Sequence, residues 1–423
     1  MTAGLLLLVA LAMLGMPLFT VLAGITFLLY RAEQIDAASV AIEMYRLAET
    51  PLLIAIPLFT FAGYLLAESR APQRLVRVSR AALGWMPGGL AAVALVACAI
   101  FTAFTGASGV TIIAVGGLLL PTLLAERYAE RFSYGLLTTS GSLGLLFPPS
   151  LPIIIYGYAS GVSVDKLFAA GILPGILLLL LVALYSMRVA VRSGVQRHAF
   201  SWGELRAAAR EAAWELPLPL VVVGGIYAGK VTVSEAATLT AIYSLFVEVV
   251  VYRDVRLRDL PRILTQSMVL VGGILIIIAV ALALTNYFIT AQLPNRIFEW
   301  SQQHVHSRPV FLLLLNVFLL LIGCLMDEFS AIIVVVPLIA PLAANYGIDP
   351  VHLGIIFLLN LEMSYSIPPV GLNLFIASLR FQRPVIDLYR ASVPFLALYG
   401  VALLIVTYAP GLSLWLVRVL GVR

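Results

Sequence analysis

An all-α polytopic membrane protein with two inverted-topology repeats is the fold this sequence predicts, on three observations. The 423 residues are 62% hydrophobic and 11% charged, with a mean hydropathy of +1.05, a balance that a water-soluble domain does not carry. The apolar runs have the lengths of bilayer spans, and lipid admits only helices or closed barrels. A proline pattern also recurs: a shift of 220 residues carries Pro121, Pro148, Pro149 and Pro174 onto Pro341, Pro368, Pro369 and Pro394. At about 20 residues per span the chain has room for roughly ten spans and no sizeable soluble domain. A soluble enzyme, a nucleic-acid binder and a single-anchor receptor are excluded.

The first run, Thr2 to Tyr30, stays uncharged until Arg31. It is too long for a signal-peptide core and lacks a basic start, so it reads as an uncleaved span. Runs follow at Pro51 to Ala67, Pro87 to Leu124, Phe132 to Tyr158 and Leu167 to Val189. Residues 1–188 form the first repeat, and residues 189–215 a basic connector with Arg192, Arg197, Arg206 and Arg210 beside Trp202 and Trp214. That composition suits a helix lying on the cytoplasmic membrane surface or a solvated charged loop. The second half, residues 216–423, opens with a linking span at Leu216 to Gly229. It continues with Ser234 to Tyr252, Leu264 to Phe288, Pro309 to Asn345, Val351 to Ser378 and Ala391 to Val417. Cys98 and Cys324 lie inside apolar runs with neither pairing nor metal spacing, as small packing residues do.

Two runs, within residues 87–126 and 309–346, are too long for one span. Each is interrupted near its middle, by Gly106-Ala107-Ser108-Gly109 and by Met326-Asp327-Glu328. Two shorter helices joined at such a tip make a re-entrant hairpin, each arm reaching part-way through the bilayer. The runs after them, 132–158 and 351–378, contain the Pro-Pro pairs and read as broken helices. With hairpins returning to their starting side, one face collects 18 of the 26 Lys and Arg residues, which makes it cytoplasmic. The N-terminus is then inside, the C-terminus outside, and the two halves are inverted. Paired, interrupted apolar segments in inverted halves point to the binding site of a secondary transporter.

Four stretches resemble the large membrane subunit of the tripartite ATP-independent periplasmic (TRAP) transporters. They are PLFTFAGYLLAES from Pro57, GASGVTIIAVGGLLLP from Gly106, SGSLGLLFPPSLPIIIYG from Ser140 with LFAAGILPG ending at Gly175, and MDEFSAIIVVVPLIAP with NLEMSYSIPPVGLNLF between Met326 and Phe375. No four-helix segment precedes Met1, so the chain resembles a separate large subunit. The resemblance implies an elevator-type importer of an organic anion, usually a carboxylate, in the bacterial inner membrane. It implies sodium as the coupling ion and no cofactor. The implied partners are a periplasmic solute-binding protein and a small four-helix membrane subunit, within the lipid bilayer and without nucleic acid.

A desolvated cation needs oxygen ligands, which helices offer where they end or unwind. One candidate site therefore joins the tip residues Gly106, Ser108 and Thr111 to the break from Ser142 to Pro148 and Pro149. The other joins Asp327, Glu328 and Ser330 to Asn360, Glu362, Ser364 and the break at Pro368, Pro369, Gly371 and Asn373. Hydroxyls in membrane helices commonly bond their own backbone and glycines serve close packing, so the clusters carry more weight than their members. Acids at membrane depth are costly and point to function, and Asp327 resembles a family acid at the second tip. Glu328 reads alternatively as a solvated tip residue, and Glu362 as one that pairs with a buried arginine or carries a proton. Ala107 stands where the family's first tip often has a serine, and Ile367 where a threonine commonly precedes Pro-Pro, so ligation there falls to the backbone.

Two other readings fit parts of the chain. A sodium/divalent-anion symporter with a related two-hairpin architecture would work without a binding protein. The GASG tip matches the G-x-S-G of intramembrane rhomboid-type serine proteases, but Val351-His352-Leu353-Gly354 lacks the accompanying His-x-x-Gly spacing.

Overall fold

The computed structural model describes residues 16–193, 195 and 199–421, with Gly4, Leu7, Leu8, Ala10 and Leu11. Arg197 and Arg423 of the charge count, and parts of the first apolar run, lie outside the described residues. Every regular element among the described residues is helical. Twenty segments follow in order: α1 Leu18–Ala32, α2 Ala38–Ala48, α3 Ala55–Glu68, α4 Ala71–Leu83, α5 Gly89–Thr105, α6 Ser108–Ala125, α7 Glu130–Ser140, α8 Leu151–Ser160, α9 Val164–Arg192 and α10 Trp202–Glu211. The rest are α11 Pro217–Tyr227, α12 Val233–Val251, α13 Leu260–Thr290, α14 Leu293–His304, α15 Arg308–Leu325, α16 Glu328–Asn345, α17 Pro350–Ser364, α18 Leu372–Phe381, α19 Val385–Tyr408 and α20 Pro410–Val419.

Eight of these, counting α3 together with the 3-10 turn Pro51–Ile54 that precedes it, are long and apolar enough to cross a bilayer, and the bent pair around Pro148-Pro149 makes up to nine. That is fewer than the roughly ten expected, because several apolar runs divide into helices shorter than a span. The divisions fall at the interruptions. α5 ends at Thr105 and α6 starts at Ser108; α15 ends at Leu325 and α16 starts at Glu328. Between α7 and α8 the chain makes a 3-10 turn at Leu143–Leu146, then extends through the proline pair with a 47° bend. α17 likewise stops at Ser364 before α18 resumes at Leu372. Pro148-Pro149 and Pro368-Pro369 are both cis. The 220-residue shift carries Thr105, Ser108, Ala125 and Glu130 onto Leu325, Glu328, Asn345 and Pro350, each a helix boundary.

Between helices in lipid, close packing replaces the hydrophobic drive that works in water. α5 presents Ala91, Ala94 and Cys98, all fully buried and spaced along one stripe, and packs against α3, α4 and the Leu143–Leu146 turn. The interlock crosses between halves: α16 packs along α8, and α18 packs along the start of α6. Around them α13 packs on α1, α2, α3 and α16, while α12 packs on α3.

One buried polar knot ties the connector to this frame. Arg74 on α4, 5% exposed, donates to Glu215 at 2.5 Å, Glu248 at 3.1 Å and Asp254 at 2.5 Å, with Tyr252 stacked 3.9 Å beneath the guanidinium. Three carboxylates share one cation. Burial pushes Glu215 up to about 7 despite the opposing pull of Arg74. On its exposed side α4 meets α10 through Arg77, which pairs with Glu204 at 2.9 Å and with Glu211. The connector is thus helical over Trp202–Glu211 and bound to α4.

Truncating Arg74 strands three carboxylates in a dry site, so Arg74→Ala should cost about 3–5 kcal/mol, read as a lower unfolding midpoint in detergent. Folded Glu215 holds its proton up to about pH 7, whereas unfolded it releases it near the ordinary carboxylate value. Its contribution to stability therefore falls as pH rises from about 4.5 to 7, and Glu215→Gln should flatten that part of the melting-temperature profile.

Candidate functional site

The two tips are built differently. At the first, Gly106 closes α5 with φ 63°, a left-handed conformation that glycine adopts without a Cβ clash. Ser108 then opens α6, and its Oγ donates to Asn373 Oδ1 at 2.7 Å. This corrects the expected grouping, which put Asn373 with the second tip. α18 lies along α6, so the second Pro-Pro break delivers its asparagine to the first tip. Thr111 joins the first break through a residue that sequence reasoning missed. Thr102 Oγ1 donates to the Gly141 carbonyl at 2.8 Å and lies 2.7 Å from Thr111 Oγ1. Its signal was a hydroxyl one helical turn before a glycine-terminated arm. Ser142 Oγ donates to Thr139 O at 3.1 Å, a bond within its own turn.

At the second tip Asp327 is the N-cap of α16. Its Oδ2 accepts from the backbone amides of Phe329 at 3.1 Å and Ser330 at 3.0 Å, and its Oδ1 from Ser330 Oγ at 2.5 Å. Such a cap answers the unpaired amides of a helix start. Glu328 is not a solvated tip residue: it is 5% exposed, and Tyr365 OH donates to its Oε2 at 2.5 Å. The tyrosine sits where α17 ends, so this bond ties the tip to the second break, as Val370 N does by donating to the Cys324 carbonyl at 3.2 Å. A hydrogen bond also ties Asn373 N to the Tyr365 carbonyl at 3.1 Å. Gly371, between Pro369 and Asn373, has φ 41° and starts α18.

The remaining candidates separate from the tips. Asn360 donates to Asn316 Oδ1 and to Ile356 O, both at 2.8 Å, and Asn316 continues to Thr407 Oγ1 at 3.1 Å, a chain leading to α15 and α19. Ser364 Oγ donates to Leu361 O at 2.8 Å in its own helix. Glu362 has no arginine partner among the described residues. It is buried against the Leu146 backbone of the first break, and neither of its carboxyl oxygens has a side-chain hydrogen-bond partner. Ser140, Ser150, Ser366 and the Asn373 Nδ2 also lack partners while buried. Buried polar atoms in native proteins are nearly always paired; unpartnered ones occur at both helix breaks and also away from them, at Thr60, Tyr128, Tyr227, Ser244 and Ser392, and the carboxyl of Glu362 sets the breaks apart.

The family described as Tripartite ATP-independent periplasmic transporter, DctM component, matches residues 5–412. The chain belongs to this family. This TRAP large permease is 38% identical to the C4-dicarboxylate TRAP transporter large permease protein DctM of Pseudomonas aeruginosa, covering 94% of this chain and 93% of the relative. It is 36% identical to the protein of the same name in Rhodobacter capsulatus, over 98% of each. The ectoine TRAP transporter large permease protein TeaC of Halomonas elongata is 32% identical over 86% of each. Among solved structures, the YdaH transporter of Alcanivorax borkumensis shares the fold at a TM-score of 0.59, 16% identity and 90% coverage of both chains. The relatives are transporter permeases, and the protein is a permease subunit and not an enzyme.

Removing the Tyr365 hydroxyl leaves a buried carboxyl at the second tip without its donor. Tyr365→Phe should therefore lower stability by about 1–3 kcal/mol, and Tyr365→Phe in a Glu328→Gln background by less, measured as a double-mutant cycle on detergent unfolding midpoints.

Proposed function

We propose that this TRAP large permease is the membrane pathway of a sodium-coupled importer that takes up an organic anion of the carboxylate class. The solute is delivered by a periplasmic binding protein, and a small four-helix membrane subunit completes the assembly. The relatives of greatest similarity quoted above are named for C4-dicarboxylates, which supports that solute class. The observation that carries the reading is the set of unpartnered, buried polar groups where two tips meet two broken helices. Oxygen-bearing groups held out of water without partners are available to a desolvated cation, and the helix start at Ser108, which no side chain caps, directs amides toward an anion. Gly106, Ser108, Thr111 and the Pro148-Pro149 break would serve one ion. The second tip with the Pro368 to Gly371 break would serve the other, Asn373 turning to the first tip and Glu362 lying between the two breaks. The arrangement suits an elevator in which hairpins and broken helices move together against α1 to α3, α12 and α13. The excess of basic loops on one face supports a bacterial inner-membrane orientation with the N-terminus cytoplasmic and the C-terminus periplasmic.

Mass spectrometry of the gently purified, tagged chain should find a small four-helix membrane subunit; recovery of the chain alone would favour a symporter that needs no binding protein. Uptake by the reconstituted system should vanish without a sodium gradient, and unchanged uptake would transfer the coupling role to protons. Asp327→Asn keeps an N-cap side chain and removes the charge. Impaired uptake with normal insertion is expected, whereas normal uptake would leave Asp327 as a cap alone.

A further inference from the structure

The start of α6 is not a plain helix. Residues Ile112–Gly116 form a π-helical turn, which takes carbonyls out of the regular i to i+4 ladder and recurs at functional positions. Arg380, at the last turn of α18, donates from Nε to the Ile113 carbonyl at 3.0 Å. Gly117 makes room for it: the atoms nearest to a Cβ placed there all belong to the guanidinium of Arg380, close enough to overlap. Phe381 lies against Gly116, and Ile376 occupies the space over Gly109. With Ser108 and Asn373 at 2.7 Å, α18 is fastened to the first hairpin at both ends, by a neutral bond at the tip and a charged donor toward the base. Among the described residues Arg380 has no carboxylate partner, so its charge is directed at a carbonyl and at solvent.

The second half has no counterpart. The 220-residue shift places Ser160 opposite Arg380, and the Ser160 hydroxyl donates at 2.7 Å to Tyr156 in its own helix. It places Pro337 opposite Gly117, and Pro337 sits inside α16. Among the described residues a guanidinium fastening of this kind is found on one hairpin, the one whose open end faces the basic loops.

We propose that Arg380 is a positioning residue that latches the first hairpin to α18 through the π-turn, and that release of this latch opens the first tip toward the basic face. The proposal rests on the transporter reading above and deepens it by naming which hairpin yields and what holds it. A charge-assisted bond to a backbone carbonyl is strong enough to hold and weak enough to exchange. An arriving carboxylate or water is a competing acceptor for the same guanidinium.

The test uses the full chain in membrane vesicles carrying Val110→Cys, a half-buried position one turn from the tip, with the buried Cys98 and Cys324 as internal controls. A membrane-impermeant maleimide is applied from each face, without transported solute. Arg380→Ala and Gly117→Ala should each raise labelling from the basic face about tenfold, the double variant should show no further rise, and Arg380→Lys should fall between. Gly117→Ala keeps the charge and adds one methyl group, so it decides the matter if Arg380→Ala fails to insert. Unchanged labelling in Gly117→Ala, effects that multiply in the double variant, or an equal rise from both faces would overturn the latch. Because labelling needs no transport, absent solute uptake in the parent assembly would count against the transporter reading and leave the latch to the labelling result.

Discussion

Hydrocarbon leaves no water to satisfy a backbone amide or carbonyl, so a helix that stops at membrane depth must have its loose ends answered from inside the protein. The rest of the molecule follows from that constraint. Four helix interruptions, two at tips and two at Pro-Pro pairs, are placed against one another, so that each supplies what another lacks. Asp327 answers the first amides of α16, Val370 answers the Cys324 carbonyl that α15 leaves open, and Thr102 answers Gly141 where α7 ends. The surrounding spans keep these exchanges out of lipid, and their packing through Ala91, Ala94 and similar small residues brings the backbones close enough to do so.

Once every break must find a partner, a break with leftover capacity becomes informative. Glu362, Asn373 and the serines at positions 140, 150 and 366 hold capacity that the protein does not use on itself. A carboxyl such as Glu362, removed from water and without a charged or side-chain partner, is an expensive feature at membrane depth. Asp327 is the contrasting case. Its lone pairs are taken up by three donors of its own helix start, which explains an acid at a tip on structural grounds. The acid that looks functional by position and the acid left unpartnered are therefore different residues.

The positions of the breaks were legible in the sequence because glycine and proline act locally. Gly106 permits the left-handed closure of α5, and Pro148-Pro149 and Pro368-Pro369 end helices through their own covalent geometry. The recurrence at 220 residues was legible for the same reason. Pairing across the repeat was not. Spacing along a chain says that Asn373 follows a break, but only packing says that α18 turns toward α6 and gives Asn373 to Ser108. Nor could composition show that Tyr365 covers Glu328, since a tyrosine one residue past a helix end reads as ordinary boundary material. Thr102 escaped notice because a lone threonine in an alanine-rich helix resembles the hydroxyls that bond their own backbone, as Ser364 does.

The two halves share boundaries but not chemistry. Ser108 of the first tip corresponds to Glu328 of the second, the neutral bond to Asn373 to a bond between Glu328 and Tyr365, and the flexible Gly117 to the rigid Pro337. Equal backbones with unequal side chains cannot open at equal cost. The first hairpin is held by one neutral bond at its tip and one exchangeable charged donor, Arg380, at a π-turn that already departs from the regular ladder. The second is held by a buried carboxyl, a capped start and two prolines within its inner arm. A transporter whose two faces meet different ion and solute concentrations has use for that inequality, because a molecule that opened alike on both sides would have no structural preference for where it lets go.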